Sequence, residues 1–163
     1  MRMQRLLAAL VVALVFLPFL PAAADDAPKP IKLELKDFKF ISPEGKADLF
    51  GYNEGEEKLF FYTNGTAEAK FKVPADGDYE IVIKASQDKA LDEGAKFKLA
   101  VNGKQVGKET ETKEGDPKEF KFPTMLKSGE HKMTIEYTND VYKEGEYDRN
   151  LYVHAVSIKK VKK

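Results

Sequence analysis

The chain has 163 residues, with 27 Lys and Arg against 27 Asp and Glu, and neither Cys nor Trp. A balanced charge gives no basic excess of the kind that non-specific nucleic-acid binding needs. Without cysteine there is no disulfide framework, so a secreted domain of this size must be stabilised by packing, with or without a metal.

The first element is "MRMQRLLAALVVALVFLPFLPAAADDAPKP". Arg2 and Arg5 make a positive leader, an apolar run spans Leu6 to Leu20, and small residues at Ala22 and Ala24 suit cleavage. The run is short for a spanning helix and Pro18 and Pro21 interrupt it, so residues 1–24 are predicted to be a cleaved signal peptide. The mature chain is then expected outside the cytoplasm, extracellular or periplasmic, with no membrane segment. Residues 25–30 read as a polar tether and residues 31–163 as one domain.

Beyond the tether the dominant period is two. Ile31, Leu33 and Leu35 alternate with charged residues, and Phe38 and Phe40 continue on the other parity, which predicts a bulge near Asp37. "KLFFYT" runs into Asn64-Gly65, a hairpin-turn signal. Alternation then places Ala69, Phe71 and Val73 on one strand face. The same holds for Tyr79, Ile81 and Ile83, for Phe97, Leu99 and Val101, for Phe120 and Phe122, and for Met133, Ile135 and Tyr137. Asn102-Gly103 marks another turn. The segment from Leu151 to Val161 is apolar on both parities in its first half, as a central strand is. No segment after the leader carries a 3.6-residue stripe, and "SQDKALDEGAK" reads as a loop. Eight to ten short strands with regular turn signals predict an all-β fold, a β-sandwich of jelly-roll type.

Catalytic chemistry finds little support in the residues. His131 and His154 each fall within a predicted strand, where a histidine is a packing residue, and no serine sits in a nucleophile-elbow context. Two separated histidines without cysteine fall short of a structural zinc site. Glycoside hydrolysis needs only two carboxylates, and nothing in the sequence singles out such a pair. The chain is read as a non-enzyme.

The distinctive stretch is "TNDVYKEGEYDRNLYV", residues 138–153, which gathers Asn139, Asp140, Glu144, Glu146, Asp148 and Asn150. Clustered carboxylates repel unless a cation or hydrogen-bond donors offset them. Calcium takes six to eight oxygen ligands from carboxylates, carbonyls and waters, and this loop supplies such oxygens. It is not an EF-hand: counted from Asp140, the third position is Tyr142 and the twelfth is Leu151, where ligands are required. From composition alone, a solvated corner explains the loop equally well.

The stretch "TNDVYKEGEYDRNLYVHAVSI" resembles the C-terminal signature of the calcium-dependent xylan-binding carbohydrate-binding modules, families thirty-six and sixty: an Asn-Asp pair, a variable loop, then Asp-Arg-Asn-Leu entering the last strand. Upstream of it, "VPADGDYEIVIKAS", then "FKLAVNGKQVG", then "LKSGEHKMTIEYTND" agree in order, so the resemblance covers most of residues 66–161. It implies a secreted, non-catalytic, monomeric sandwich that binds polysaccharide (xylan or another β-glycan) through calcium (Ca2+). It implies calcium held by Asp140, the carbonyl of Tyr147, and Asp148, with Asn139, Tyr142 and Asn150 on the sugar side. Two neighbouring sugar hydroxyls would complete the coordination. A second, structural calcium between Glu34 and the last strand is implied less well, because His154 stands where an Asp is expected. With no Trp to stack on sugar, Tyr52, Tyr62, Tyr142 and Tyr147 are the available rings. The alternative is a structural or protein-interaction β-sandwich of the cell envelope.

Overall fold

A computed structural model describes residues 29–41 and 46–161. The predicted signal peptide and residues 25–28 of the tether lie outside the described residues. The strands are β1 (Ile31–Leu33), β2 (Lys39–Ile41), β3 (Phe50–Asn53), β4 (Lys58–Phe61), β5 (Gly65–Val73), β6 (Gly77–Asp88) and β7 (Lys96–Val101). They continue with β8 (Lys104–Gln105), β9 (Thr110–Glu111), β10 (Lys118–Leu126), β11 (Gly129–Tyr137), β12 (Tyr142–Lys143), β13 (Tyr147–Asp148) and β14 (Asn150–Lys160).

Two antiparallel sheets form a β-sandwich. One has the order β10-β6-β14-β4-β3 with β1 also on β14, and the other has the order β2-β5-β11-β7-β8 with β9 also on β7. The alternating residues of the sequence fill the space between them. Phe71, Val73, Tyr79, Ile81, Ile83, Phe97, Leu99, Val101, Phe122, Met133, Ile135 and Tyr137 are all buried. The apolar segment Leu151–Ile158 is central as its pattern predicts: β14 pairs with β6, β4 and β1. Aromatic rings join the sheets. Phe61 of β4 lies 6.4 Å from Tyr137 of β11 and 6.1 Å from Phe40 of β2, ring to ring, and Phe122 of β10 lies 5.9 Å from Phe97 of β7.

Two local expectations are corrected. The parity flip after Leu35 is not a bulge. A 3-10 turn over Leu35–Asp37 carries the chain from β1 in one sheet to β2 in the other, and buried Phe38 resumes on the new inner face. Likewise Asn64-Gly65 is not a hairpin, since β4 and β5 belong to different sheets. Asn102-Gly103 does turn a hairpin, between β7 and β8, with φ of 52° and 78°.

His131 is the packing histidine its strand position predicts. It stacks on Phe71, its Nδ1 accepts from the Asn102 amide at 2.9 Å, and its Nε2 donates to the Lys127 carbonyl at 2.7 Å. The outer face of the second sheet carries Lys70–Glu130 and Lys132–Glu68 pairs. Exposed pairs of this kind contribute about 0–1 kcal/mol each. Stability therefore rests on the inner faces. Phe61→Ala, which opens a cavity where rings from both sheets meet, is expected to destabilise the domain by about 3–5 kcal/mol in chemical denaturation. A loss below about 1 kcal/mol would contradict that packing role.

Candidate functional site

The 138–150 loop leaves β11 at one end of the sandwich and enters β14. Its middle is a small hairpin in which Tyr142 pairs with Asp148 and Lys143 with Tyr147, turned by Gly145 at φ 73°. Glu144 and Glu146 lie exposed at its tip, where Glu146 pairs with Lys143. Asp140 and Asp148 lie at its base, where the backbone N–H of Arg149 donates to the Val141 carbonyl at 3.0 Å. The carboxylates gathered in the sequence are thus divided between tip and base.

Asp140 is held from both sides. Its backbone N–H donates to Asn64 Oδ1 at 2.8 Å, and Thr63, itself buried, supplies a side-chain hydrogen bond to its carboxyl. Oδ1 of Asp140 is buried with no hydrogen-bond partner among the described residues. Burial raises its pKa above the ordinary carboxylate value, Thr63 opposes that shift, and the nearby Asp148 carboxylate reinforces it.

Asn150 is 5% exposed, and its amide donates to Asp148 Oδ2 at 3.0 Å and to Asp88 Oδ2 at 3.1 Å. Its Oδ1 is the second buried oxygen without a partner. Asp88, at the end of β6, also accepts from the Tyr152 hydroxyl at 2.6 Å. Burial first, and then Asp88, raise the pKa of that phenol. A polar chain therefore runs Asp148–Asn150–Asp88–Tyr152, with Tyr62 edge-on to Tyr152 at 6.3 Å.

Among the sequence-predicted residues, Asp140, Asp148 and Asn150 lie together at the hairpin base, and Tyr147 pairs with Lys143 one step nearer the tip. Asn139 accepts from the Lys96 N–H and donates to the Gly94 carbonyl, so its amide joins this loop to the 88–95 segment. Tyr142 is 64% exposed on the hairpin. Glu34 and His154 line one shallow depression with Tyr52 and Glu57. There Nε2 of His154 shares a hydrogen bond with Ser86, and burial followed by Lys58 and Lys84 lowers the imidazole pKa. A neutral imidazole bonded to serine adds no negative charge to Glu34.

Sequence reasoning missed Asp88, Thr63, Asn64 and the placement of Arg149. Arg149 is buried, at 4% exposure.

Among the described residues no three His, Cys, Asp or Glu side chains form a metal cluster. Any metal here must use carbonyl or amide oxygens beside two carboxylates, which is a donor set for a hard cation such as calcium. Two buried, unpartnered oxygens at the loop base fit that use, because a buried acceptor without a donor or cation is costly.

By class the chain is a non-catalytic carbohydrate-binding module, as its family match shows. The chain belongs to the CBM60 family, the Ca-dependent, xylan-binding carbohydrate-binding modules, whose model matches residues 80–163, just over half of the chain. Comparison with curated proteins gives no match. Solved structures share the fold. The CBM36-1 domain of a multidomain xylanase from the hindgut metagenome of Trinervitermes trinervoides is 12% identical with a TM-score of 0.62, over 83% of this chain and 100% of that one. A CBM36 module solved with calcium and xylotriose is 14% identical with a TM-score of 0.53, over 82% and 99%. The C-terminal CBM6 of LamC, a marine laminarinase from Zobellia galactanivorans, is 13% identical with a TM-score of 0.53, over 81% and 100%.

The raised pKa of Asp140 has a consequence for the calcium-free protein. Folding disfavours the ionised carboxyl, so stability present below the unfolded-state pKa is lost as pH rises through the folded-state value. In chelator at pH 7, Asp140→Asn should therefore melt higher than wild type, and the gain should vanish as pH falls below the carboxylate range. A variant that melts lower than wild type at pH 7 would refute the strained-carboxylate description.

Proposed function

We propose that this domain binds xylan-like β-glycans through a calcium ion held by Asp140, the carbonyl of Tyr147, and Asp148. The observation that carries the reading is the buried, unpartnered Oδ1 of Asp140 near the Asp148 carboxylate, in a chain of a Ca-dependent family. When bound, calcium supplies open coordination positions that a vicinal diol fills in place of two waters, with little change in ligand type. Internal residues of a β-1,4-linked xylan carry free O2 and O3, so recognition needs no chain end.

The other residues have distinct roles in this reading. Asn139 fixes the loop against the 88–95 segment, and Asn150 is oriented by Asp88 and Asp148 next to the sugar side. Tyr142, and Tyr62 at 39% exposure, offer ring faces in a chain without Trp. The protein acts outside the cell as a monomer, and polysaccharide is its partner.

Calorimetry against xylan, galactan and β-glucans, with calcium and then with chelator, tests this directly. Binding to xylan is expected only with calcium, and Asp140→Ala and Asp148→Ala should each abolish it while leaving a cooperative melt. Calcium at a hundredfold excess over Kd should stabilise the fold by about 2.7 kcal/mol. Calcium-independent binding, or unchanged affinity in either variant, would overturn the assignment. A partner protein that survives both chelator and free sugar would favour the envelope-interaction alternative.

A further inference from the structure

Arg149 is the most enclosed charge in the loop, and it touches neither Asp140 nor Asp148 by a hydrogen bond or ion pair among the described residues. Its guanidinium instead donates to three backbone carbonyls: Nη1 to Asn139 at 2.6 Å, Nη2 to Ala90 at 2.7 Å, and Nε to Glu93 at 3.2 Å. Nη2 also lies 3.2 Å from Glu93 Oε2. One side of this fork ends on the residue immediately before Asp140. The other ends on the turn Ala90–Glu93, closed by reciprocal backbone hydrogen bonds.

That turn is under backbone strain. Leu91 and Asp92 take φ of 54° and 58°, the left-handed region that side-chain-bearing residues disfavour, and Leu91 is 62% exposed. Neither residue obtains burial in return. Such conformations persist where their surroundings over-determine them, commonly beside a working site. Here the surroundings include the Arg149 fork and the two Asn139 amide bonds to Gly94 and Lys96. Both tie the same turn segment to the start of the 138–150 loop.

We propose that Arg149 is a positioning residue of the calcium site: by clamping the 90–93 turn to Asn139 it fixes Asp140 relative to Asp148, and so sets calcium affinity without contacting the ion. The proposal rests on the reading of Asp140 and Asp148 as ligands. A planar fork with fixed N–H directions can hold three carbonyls at once, whereas the point charge of lysine cannot hold them in that geometry. Glu93 balances the charge of the clamp, and it also pairs with Lys96.

The test is calcium titration by calorimetry, without sugar, on wild type, Arg149→Lys, Glu93→Gln and Asp140→Ala, with melting curves in calcium and in chelator. Arg149→Lys should bind calcium at least tenfold more weakly, and the rise in Tm on adding calcium should shrink. A purely structural role would lower both melting curves in parallel and leave the calcium affinity unchanged. Glu93→Gln keeps all three carbonyl acceptors and changes a partly exposed residue. In about 1 M salt, where the Debye length is about 3 Å and the lost negative charge is largely screened at longer range, it should still bind at least twofold more weakly, because the ion pair of Nη2 with a carboxylate becomes at most a weaker contact with a neutral amide oxygen. If Arg149→Lys does not fold, the Glu93→Gln result decides. Affinities for either folded variant within experimental error of wild type, while Asp140→Ala abolishes binding, overturn the clamp alone. Wild type that takes up no calcium, or Asp140→Ala that still does, overturns the ligand reading and the clamp with it.

Discussion

The central position of β14 is the constraint on which the rest of the molecule depends. It pairs with β6 for most of its length, and with β4 and β1 on its other edge. Leu151, Val153, Val156 and Ile158 point into the core, so a one-residue slip would turn them outward. That register fixes where the loop before β14 must end. Asn150 is placed opposite Asp88, and Asp148 and Arg149 follow from it. The oxygen-rich end of the domain is thus located by apolar packing in the sheet, not by attractions among its own charges. The irregularity between Val153 and Ala155 keeps both halves of β14 on the core face and leaves His154 on the outer side with Ser86.

Alternation made the inner faces legible in the sequence, because a strand's side-chain period is local and the core follows it. Sheet membership was not legible. Two of the chain's several changes of sheet fall at Leu35–Asp37 and between Phe61 and Gly65. At both places the local pattern is what a bulge or a hairpin would also show. An Asn-Gly pair permits a tight turn, but the pairing of the flanking strands is decided by partners far away in sequence. At Asn102-Gly103 the two agree, and at Asn64-Gly65 they do not.

The site was legible in the same uneven way. Asp140 and Asp148 stand out because their loop is rich in oxygen ligands and carries a recognisable order of residues. Asp88 and Asn64 lie 62 and 76 residues from the groups they hydrogen-bond. Only strand register brings them there, so no spacing rule could reveal them. Arg149 reads as a solvent-facing charge beside Asp148. Its acceptors are backbone carbonyls, which have no sequence signature at all.

An arginine buried beside the proposed calcium ligands works against cation binding at first sight, since the two positive charges repel. The arrangement of partners resolves this. A desolvated guanidinium needs acceptors, and a neighbouring carboxylate would be the obvious one. Had Asp140 or Asp148 filled that role, a calcium ion would have to compete with an internal salt bridge. Here three carbonyl dipoles and Glu93 satisfy the fork. Asp140 retains a buried oxygen with no donor among the described residues, and burial raises its pKa. The charge that gives the loop its shape is neutralised by groups outside the proposed ligand set, so neither Asp140 nor Asp148 is tied up in an ion pair with Arg149 among the described residues.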